Sequence, residues 1–190
     1  MSEKRRRYLR RVRRIHPDRL VFLDESWLTT AMHRSHAWVS RGTEAIQRRP
    51  MKWGKNLTLL GAIRRSGWVQ TSTMFETTNA DRFVCWLRGR LLPKLHAGDV
   101  LVMDNLAAHH DARVPKLAAA KGVEILYLPP YSPDLNPIEP AWALQKQFVR
   151  ARAPRDSARV RVIAQRARHA VTRRHCEGWF KHAGYRNQLP

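Results

Sequence analysis

The chain has 190 residues, with 36 Lys and Arg against 15 Asp and Glu and a formal net charge of +21. That length supports one substantial core rather than two ordinary domains, and so large a positive charge points to a polyanionic partner, nucleic acid first. A run of about 18 apolar residues to span a bilayer, a secretory apolar segment after the arginine-rich start and a lipidation signal are all missing, and Cys85 and Cys176 show no CxxC spacing, which argues against membrane insertion, a disulfide framework and a structural zinc site.

Residues 1 to 14 hold eight Lys and Arg, among them Arg5, Arg6, Arg7, Arg10 and Arg11, with Tyr8, Leu9 and Val12 as the only sizeable apolar groups. This reads as a basic arm or short linker helix over residues 1–17, outside the core. From Leu20 to Leu28 an apolar run leads into Asp24 and Glu25, a buried strand carrying acids towards its end. His36–Ser40, Leu57–Ile63 and Trp68–Met74 read as further strands. From Asn79 to Leu92 the period changes. Phe83, Trp86, Leu87 and Leu91 fall at helical spacing, Asn79 offers a cap, and Pro93 closes the run.

Val100–Met103 is uniformly apolar and ends in Asp104 and Asn105. A short helix with Pro115 in its first turn and Gly122 past its end follows, then a strand over Val123–Leu128. Closely spaced strands in the first half predict an antiparallel meander, and strands alternating with helices in the second half predict parallel pairing. The fold class is a mixed α/β sheet, with low complexity confined to the basic arm and the Arg-rich stretch after residue 150.

Asp24 and Asp104 each end an apolar strand, where an open α/β sheet presents ligand groups. Adjacent strand ends would bring the two carboxylates together, at a cost that a bound cation relieves. Magnesium accepts a few carboxylate oxygens together with water and phosphate, and two such ions can serve both oxygens of a phosphodiester displacement. The third acid, Glu139, follows Asn136 and Pro137, which suit an N-cap and a first helical position and put Glu139 in the first turn of a helix. On a wheel of about 100° per residue, Ile138, Ala141, Trp142, Leu144, Phe148 and Val149 share one side, and Glu139, Lys146 and Arg150 another.

Each signal alone has a plainer meaning. A lone Asp after a strand is more often a turn residue, Glu139 could close a capping box onto Asn136, and His109 and His110 read as loop or surface histidines. Their order along the chain is more specific. FLDES at 22–26, WVSRG at 38–42, NLTLLGAI at 56–63, VMDNLAAHH at 102–110, LPPYSPDLNPIEPAW at 128–142 and GWFKHAGY at 178–185 together resemble the DDE transposases of the Tc/mariner superfamily, in its bacterial insertion-sequence branch. The 34 residues between Asp104 and Glu139 are typical of that superfamily.

The resemblance implies a ribonuclease H-like five-stranded sheet flanked by helices over residues 18–190, with a basic helical C-terminal region. It implies Asp24, Asp104 and Glu139 as catalytic and metal-binding residues, holding two Mg2+ ions for which Mn2+ can substitute, with Glu25, Asn105 and His109 as frequent neighbours of such acids. It also implies cleavage of double-stranded DNA at transposon ends, strand transfer into TA-containing target DNA, a homodimer on DNA and a cytoplasmic, nucleoid-associated location. Phosphate contacts are expected from Arg5, Arg6, Arg7, Arg10, Arg11, Lys146 and Arg150. Family members carry helix-turn-helix modules ahead of the catalytic domain. The expectation here is that such a segment comes from an upstream reading frame or has been lost from a truncated copy. A ribonuclease H-like nuclease without strand transfer and an inactive DNA-binding remnant are the alternatives at this point.

Overall fold

The computed structural model describes residues 3–32, 36, 38–46 and 54–186. The apolar run at Leu20–Leu28 forms β1, whose Val21, Phe22 and Leu23 are fully buried because both faces of the strand are covered. It pairs antiparallel with β2 (Leu57–Arg64), and β2 with β3 (Gly67–Met74), giving the expected meander. On its other edge β1 pairs in parallel with β4 (Val100–Met103), and β4 with β5 (Glu124–Tyr127), so the sheet order is β3-β2-β1-β4-β5.

Residues His36 and Trp38–Ser40, expected as a strand, have no regular structure, and Ala37 lies outside the described residues. The reason is geometric. A strand is held largely by burying a face, and Trp38 is wholly exposed with no face to bury.

The alternation of side chains along the strands divides the core in two. Phe22, Leu28, Leu57, Leu59, Ile63 and Val102 face a layer made by α1 (Glu3–Val12), α4 (Glu139–Arg152), α5 (Ser157–Ala167) and α6 (Arg173–His182). Val21, Leu23, Leu60, Ala62, Leu101 and Met103 face α2 (Ala80–Trp86) and α3 (Arg113–Ala120). As expected, the Asn79 side chain caps α2, accepting the Arg82 N–H at 2.9 Å. The helix then widens into a π turn over Leu87–Leu91 and tightens at Leu92–Lys94, where Pro93 ends it. Gly122, at φ +70°, follows α3 in the left-handed conformation that a helix C-terminus favours.

The basic N-terminus differs from its expectation. It is a helix, but it does not stand outside the core. Tyr8 and Val12, four residues apart and so on one face, are buried in the same cluster as Phe22, Phe180 and Tyr185. Arg5 pairs with Asp134 and Arg11 with Glu124. Among the described residues no helix is long and apolar enough to cross a membrane.

Candidate active site

The ends of β1 and β4, which pair in parallel through Phe22 and Val102, set Asp24 and Asp104 side by side. Asp24 is only 7% exposed and shares its sheet face with Phe22 and Leu28. Its Oδ1 accepts the Glu25 backbone N–H at 2.8 Å, and its Oδ2 lies 3.4 Å from the donating Nδ2 of Asn136. Burial raises its pKa to about 7, and the charge of Glu139 and then of Asp104 adds to the effect, against the Glu25 N–H. The Trp142 indole N–H is close enough to favour the carboxylate slightly, yet not aligned for a hydrogen bond. Trp142 reaches this position because its neighbour on β2 is a glycine. A Cβ on Gly61, the partner of Asp24 in the β1–β2 ladder, would lie 2.5 Å from Trp142 Cη2 and 2.9 Å from Trp68 Cζ3.

Asp104 is held differently. Burial alone would raise it, but the hydrogen bond and charge of His109 outweigh that and hold it below the ordinary carboxylate range, helped by the Leu106 N–H. His109 Nδ1 is 2.7 Å from Asp104 Oδ1, and the Leu106 N–H donates to the same oxygen at 3.2 Å, so both contacts fall on one oxygen. Far from being a surface group, His109 is fully buried against the Phe83 ring, with a centroid separation of 4.4 Å, and its Nε2 lies 3.8 Å from Glu25 Oε1. Glu25 therefore projects from the face opposite to Asp24. Asn105 ties the end of β4 to the next strand, its Nδ2 donating to the Leu128 carbonyl at 2.7 Å.

Glu139 stands at the first residue of α4, exposed and within electrostatic range of Asp24. The local geometry corrects the sequence expectation. Ile138, not Asn136, is the residue before the helix, Pro140 occupies the first turn, and no side chain caps the terminus. Asn136 is drawn away from capping because its amide points at Asp24. Its backbone instead closes a turn, with the Glu139 N–H donating to the Asn136 carbonyl at 3.2 Å. Asn136 is 6% exposed, and its Oδ1 has no partner among the described residues. Its role was hidden in the sequence because an Asn followed by Pro137 reads as a cap.

Among the described residues no three His, Cys, Asp or Glu side chains sit close enough to enclose one metal ion as a set. The arrangement is pairwise: Asp24 feels both Glu139 and Asp104. An all-oxygen donor set whose central carboxylate is buried and pushed up by its neighbours fits hard divalent cations, which would restore the ionised form.

The basic side chains differ in how far they are engaged. Arg6, Arg7 and Arg10 lie on the outer face of α1, while Arg5 and Arg11 are engaged with Asp134 and Glu124. Lys146 Nζ lies 5.7 Å from the ring centroid of Trp27, at the end of β1, and Arg150 is exposed one turn further along α4.

A mixed sheet in the order β3-β2-β1-β4-β5, with acids at the ends of β1 and β4 and a third at the start of the helix after β5, is the ribonuclease H-like architecture. The family model of the DDE superfamily endonucleases matches residues 19–161, well over half of the chain and all three acids, and the chain belongs to that family. Among solved structures, the mariner Mos1 paired-end complex with Mg is 23% identical with a TM-score of 0.70, covering 96% of this chain and 59% of that one. The Mos1 strand transfer complex is 23% identical with a TM-score of 0.64, covering 95% of this chain and 58% of that one. The catalytic domain of Mos1 mariner transposase is 20% identical with a TM-score of 0.55, covering 97% of this chain and 96% of that one. The chain thus spans about 59% of the length of the Mos1 chain in the paired-end complex, and the likeness is one of fold. No curated protein sequence matches the chain.

Proposed function

We propose that this chain is the catalytic domain of a DNA transposase, cutting double-stranded DNA at the ends of a mobile element and joining the freed 3′-hydroxyl to target DNA. The observation that carries the reading is the buried Asp24 carboxyl with Asp104 and Glu139 acting on it, in a chain of net charge +21. Asp24, Asp104 and Glu139 would hold Mg2+, with Mn2+ as a substitute, Asp24 being common to the two pairs that two ions need. Bound there, the ions would activate the attacking oxygen and stabilise the leaving oxygen of a phosphodiester.

The chain's own residues prepare the acids for this. His109 and the Leu106 N–H hold one oxygen of Asp104, and the other would be the one offered to metal. Asn136 and the Glu25 N–H orient the two oxygens of Asp24, and Trp142 excludes water from its inner side. Lys146 and Arg150 lie along α4 on the path of a phosphate backbone, and Arg6, Arg7 and Arg10 offer a second basic surface. Arg5 and Arg11 would reach phosphate only by leaving Asp134 and Glu124. Phosphate contacts of this kind position DNA without reading its sequence. End recognition therefore falls to a helix-turn-helix segment outside these residues, and a homodimer would bring two ends together. TA as target and the bacterial insertion-sequence branch follow from the same resemblance.

The test uses the purified chain, Mg2+, a duplex with a free 3′-hydroxyl and a supercoiled plasmid. The expected result is joined duplex–plasmid product. Nicking without joining would leave a nuclease and refute the strand-transfer part. A folded chain that neither nicks nor joins would refute the reading altogether.

A further inference from the structure

β3 ends one side of the sheet, and its outer edge is open. Beyond the ladder with β2, no backbone hydrogen bond reaches Gly67–Met74 among the described residues. Both faces of the strand are nevertheless covered. Trp68 packs on Trp142 with ring centroids 5.1 Å apart. On the opposite face Ser72 accepts the Trp86 indole N–H at 2.8 Å, and Val69 and Met74 meet the α2 side of the core. β3 is thus held like an interior strand that lacks its second neighbour.

A row of unpaired N–H and C=O groups is a template for another strand, and proteins guard such edges with charges, prolines, bulges or brevity. Here the guard covers only one end. The ladder passes from Ala62–Gln70 to Ile63–Trp68, so Val69 is an extra residue that breaks the regular edge at the start of the strand. From Gln70 to Met74 the pairing is regular, and no residue there is charged or a proline.

Charge selects the occupant. A second copy would bring its own +21 to the contact, and such self-repulsion opposes pairing of two identical edges. Cations flank the open stretch instead. Lys94 Nζ donates to Gln70 Oε1 at 2.6 Å, and the exposed Arg161 guanidinium lies 5.4 Å from the ring centroid of Phe75, the residue after β3. The nearby acid Glu76 is already paired with Arg82 at 2.9 Å. A DNA backbone would answer the cations, but phosphates only accept hydrogen bonds and would leave the edge carbonyls unmet. An extended peptide offers both donors and acceptors.

We infer that β3 is a docking edge for an extended acidic segment of a partner protein, which joins the sheet as a sixth strand beside Gln70–Met74. The inference is independent of the DNA-cleaving reading. Lys94 belongs to the turn that continues α2 and Arg161 to α5, so the two cations come from opposite layers of the sheet. Gln70 and Phe75 are five positions apart, an odd separation that puts side chains of an extended strand on opposite faces. The matching segment therefore carries two acids five positions apart, with uncharged β-forming residues between them.

The probe is a fluorescein-labelled peptide with two glutamates enclosing four alternating threonines and valines, titrated against the intact chain by fluorescence anisotropy. Two further peptides carry N-methyl groups on alternate residues, one set along each edge of the peptide strand. Strand addition uses a single edge, so methylation of one edge should weaken binding at least about tenfold and methylation of the other should leave it unchanged. Amide hydrogen exchange of the chain should slow within Gln70–Met74 when the unmethylated peptide is added. Equal binding of all three peptides would show that charge alone is read and overturn the inference. So would no binding of the unmethylated peptide, or protection confined to another segment. A short DNA duplex that slows the same amides as strongly as the peptide would also overturn it, by showing that the edge takes phosphate.

Discussion

The Asp24 carboxyl, buried at the end of β1 beside Glu139 and Asp104, titrates at about 7, whereas in an unfolded chain an Asp titrates near 4. Between about pH 4 and about pH 7 the folded protein therefore keeps a proton that the unfolded chain has released, and linkage makes the contribution of Asp24 to stability fall as pH rises through that window. A neutral amide escapes this cost. Asp24→Asn is expected to raise the metal-free stability at about pH 8 by on the order of 1 kcal/mol, as substitutions that relieve a strained site do. It should also flatten the pH slope and abolish stabilisation by Mg2+. Calorimetric scans from acid to mildly alkaline pH, with and without Mg2+, measure all three. A variant less stable than the parent at alkaline pH without metal would contradict the assignment of Asp24 as the burdened acid.

At this scale the sequence was legible where polarity broke an apolar run. Asp24 and Asp104 stand out because Leu20–Leu23 and Val100–Met103 have no other charge. By local pattern His109 read as a loop or surface histidine, marked as a neighbour of the acids only by the resemblance, and Asn136 read as a cap, because their contacts with Asp104 and Asp24 depend on how a turn folds back.

Among the elements, α1 departs most from its sequence. Its arginines dominate the composition and mask Tyr8 and Val12, the i, i+4 pair that docks it. The docking reaches the site. Tyr185, after α6, donates its hydroxyl proton to the Leu135 carbonyl at 2.6 Å, so in its 2.8 Å contact with Tyr8 the Tyr8 hydroxyl must be the donor. Arg5 grips Asp134 in the same turn. This chain of contacts braces the segment that places Asn136 and Glu139. Tyr185→Phe would leave both the Leu135 carbonyl and the Tyr8 hydroxyl without a partner in a buried setting, a loss of about 1–3 kcal/mol. Tyr8→Phe leaves the Tyr185–Leu135 bond intact and should cost less. Thermal unfolding and nicking rates of the two variants should show Tyr185→Phe more damaging on both counts, and equal or reversed effects would show that α1 does not brace the turn. The meander, the parallel half and the α2 cap were all readable from period and turn residues, whereas the segment around Trp38 was misread because apolar content does not show whether anything covers it.

Across the whole molecule, the sheet gives each strand-end acid a different support. Asp24 belongs to the face packed by α4, α5, α6 and α1, and the His109 ring that holds Asp104 belongs to the face packed by α2. Two separately built halves thus converge on one end of the sheet, with the start of α4 delivering Glu139. Lys146, beside Trp27 at the end of β1, and Arg150 one turn further along α4 bring positive charge towards this end, which suits a long polyanion more than a small substrate.

The claim that unites these features is that Asp24, Asp104 and Glu139 act together through divalent metal on a phosphodiester. Nicking of supercoiled DNA tests it most directly, using the purified chain and the single variants Asp24→Asn, Asp104→Asn and Glu139→Gln, each confirmed as folded. Nicking is expected only with Mg2+ or Mn2+, with a loss of at least about a hundredfold in every variant, the scale expected for removing a principal electrostatic catalyst. Nicking that persists without divalent metal, or near-parental activity in any one of the three variants, would contradict it.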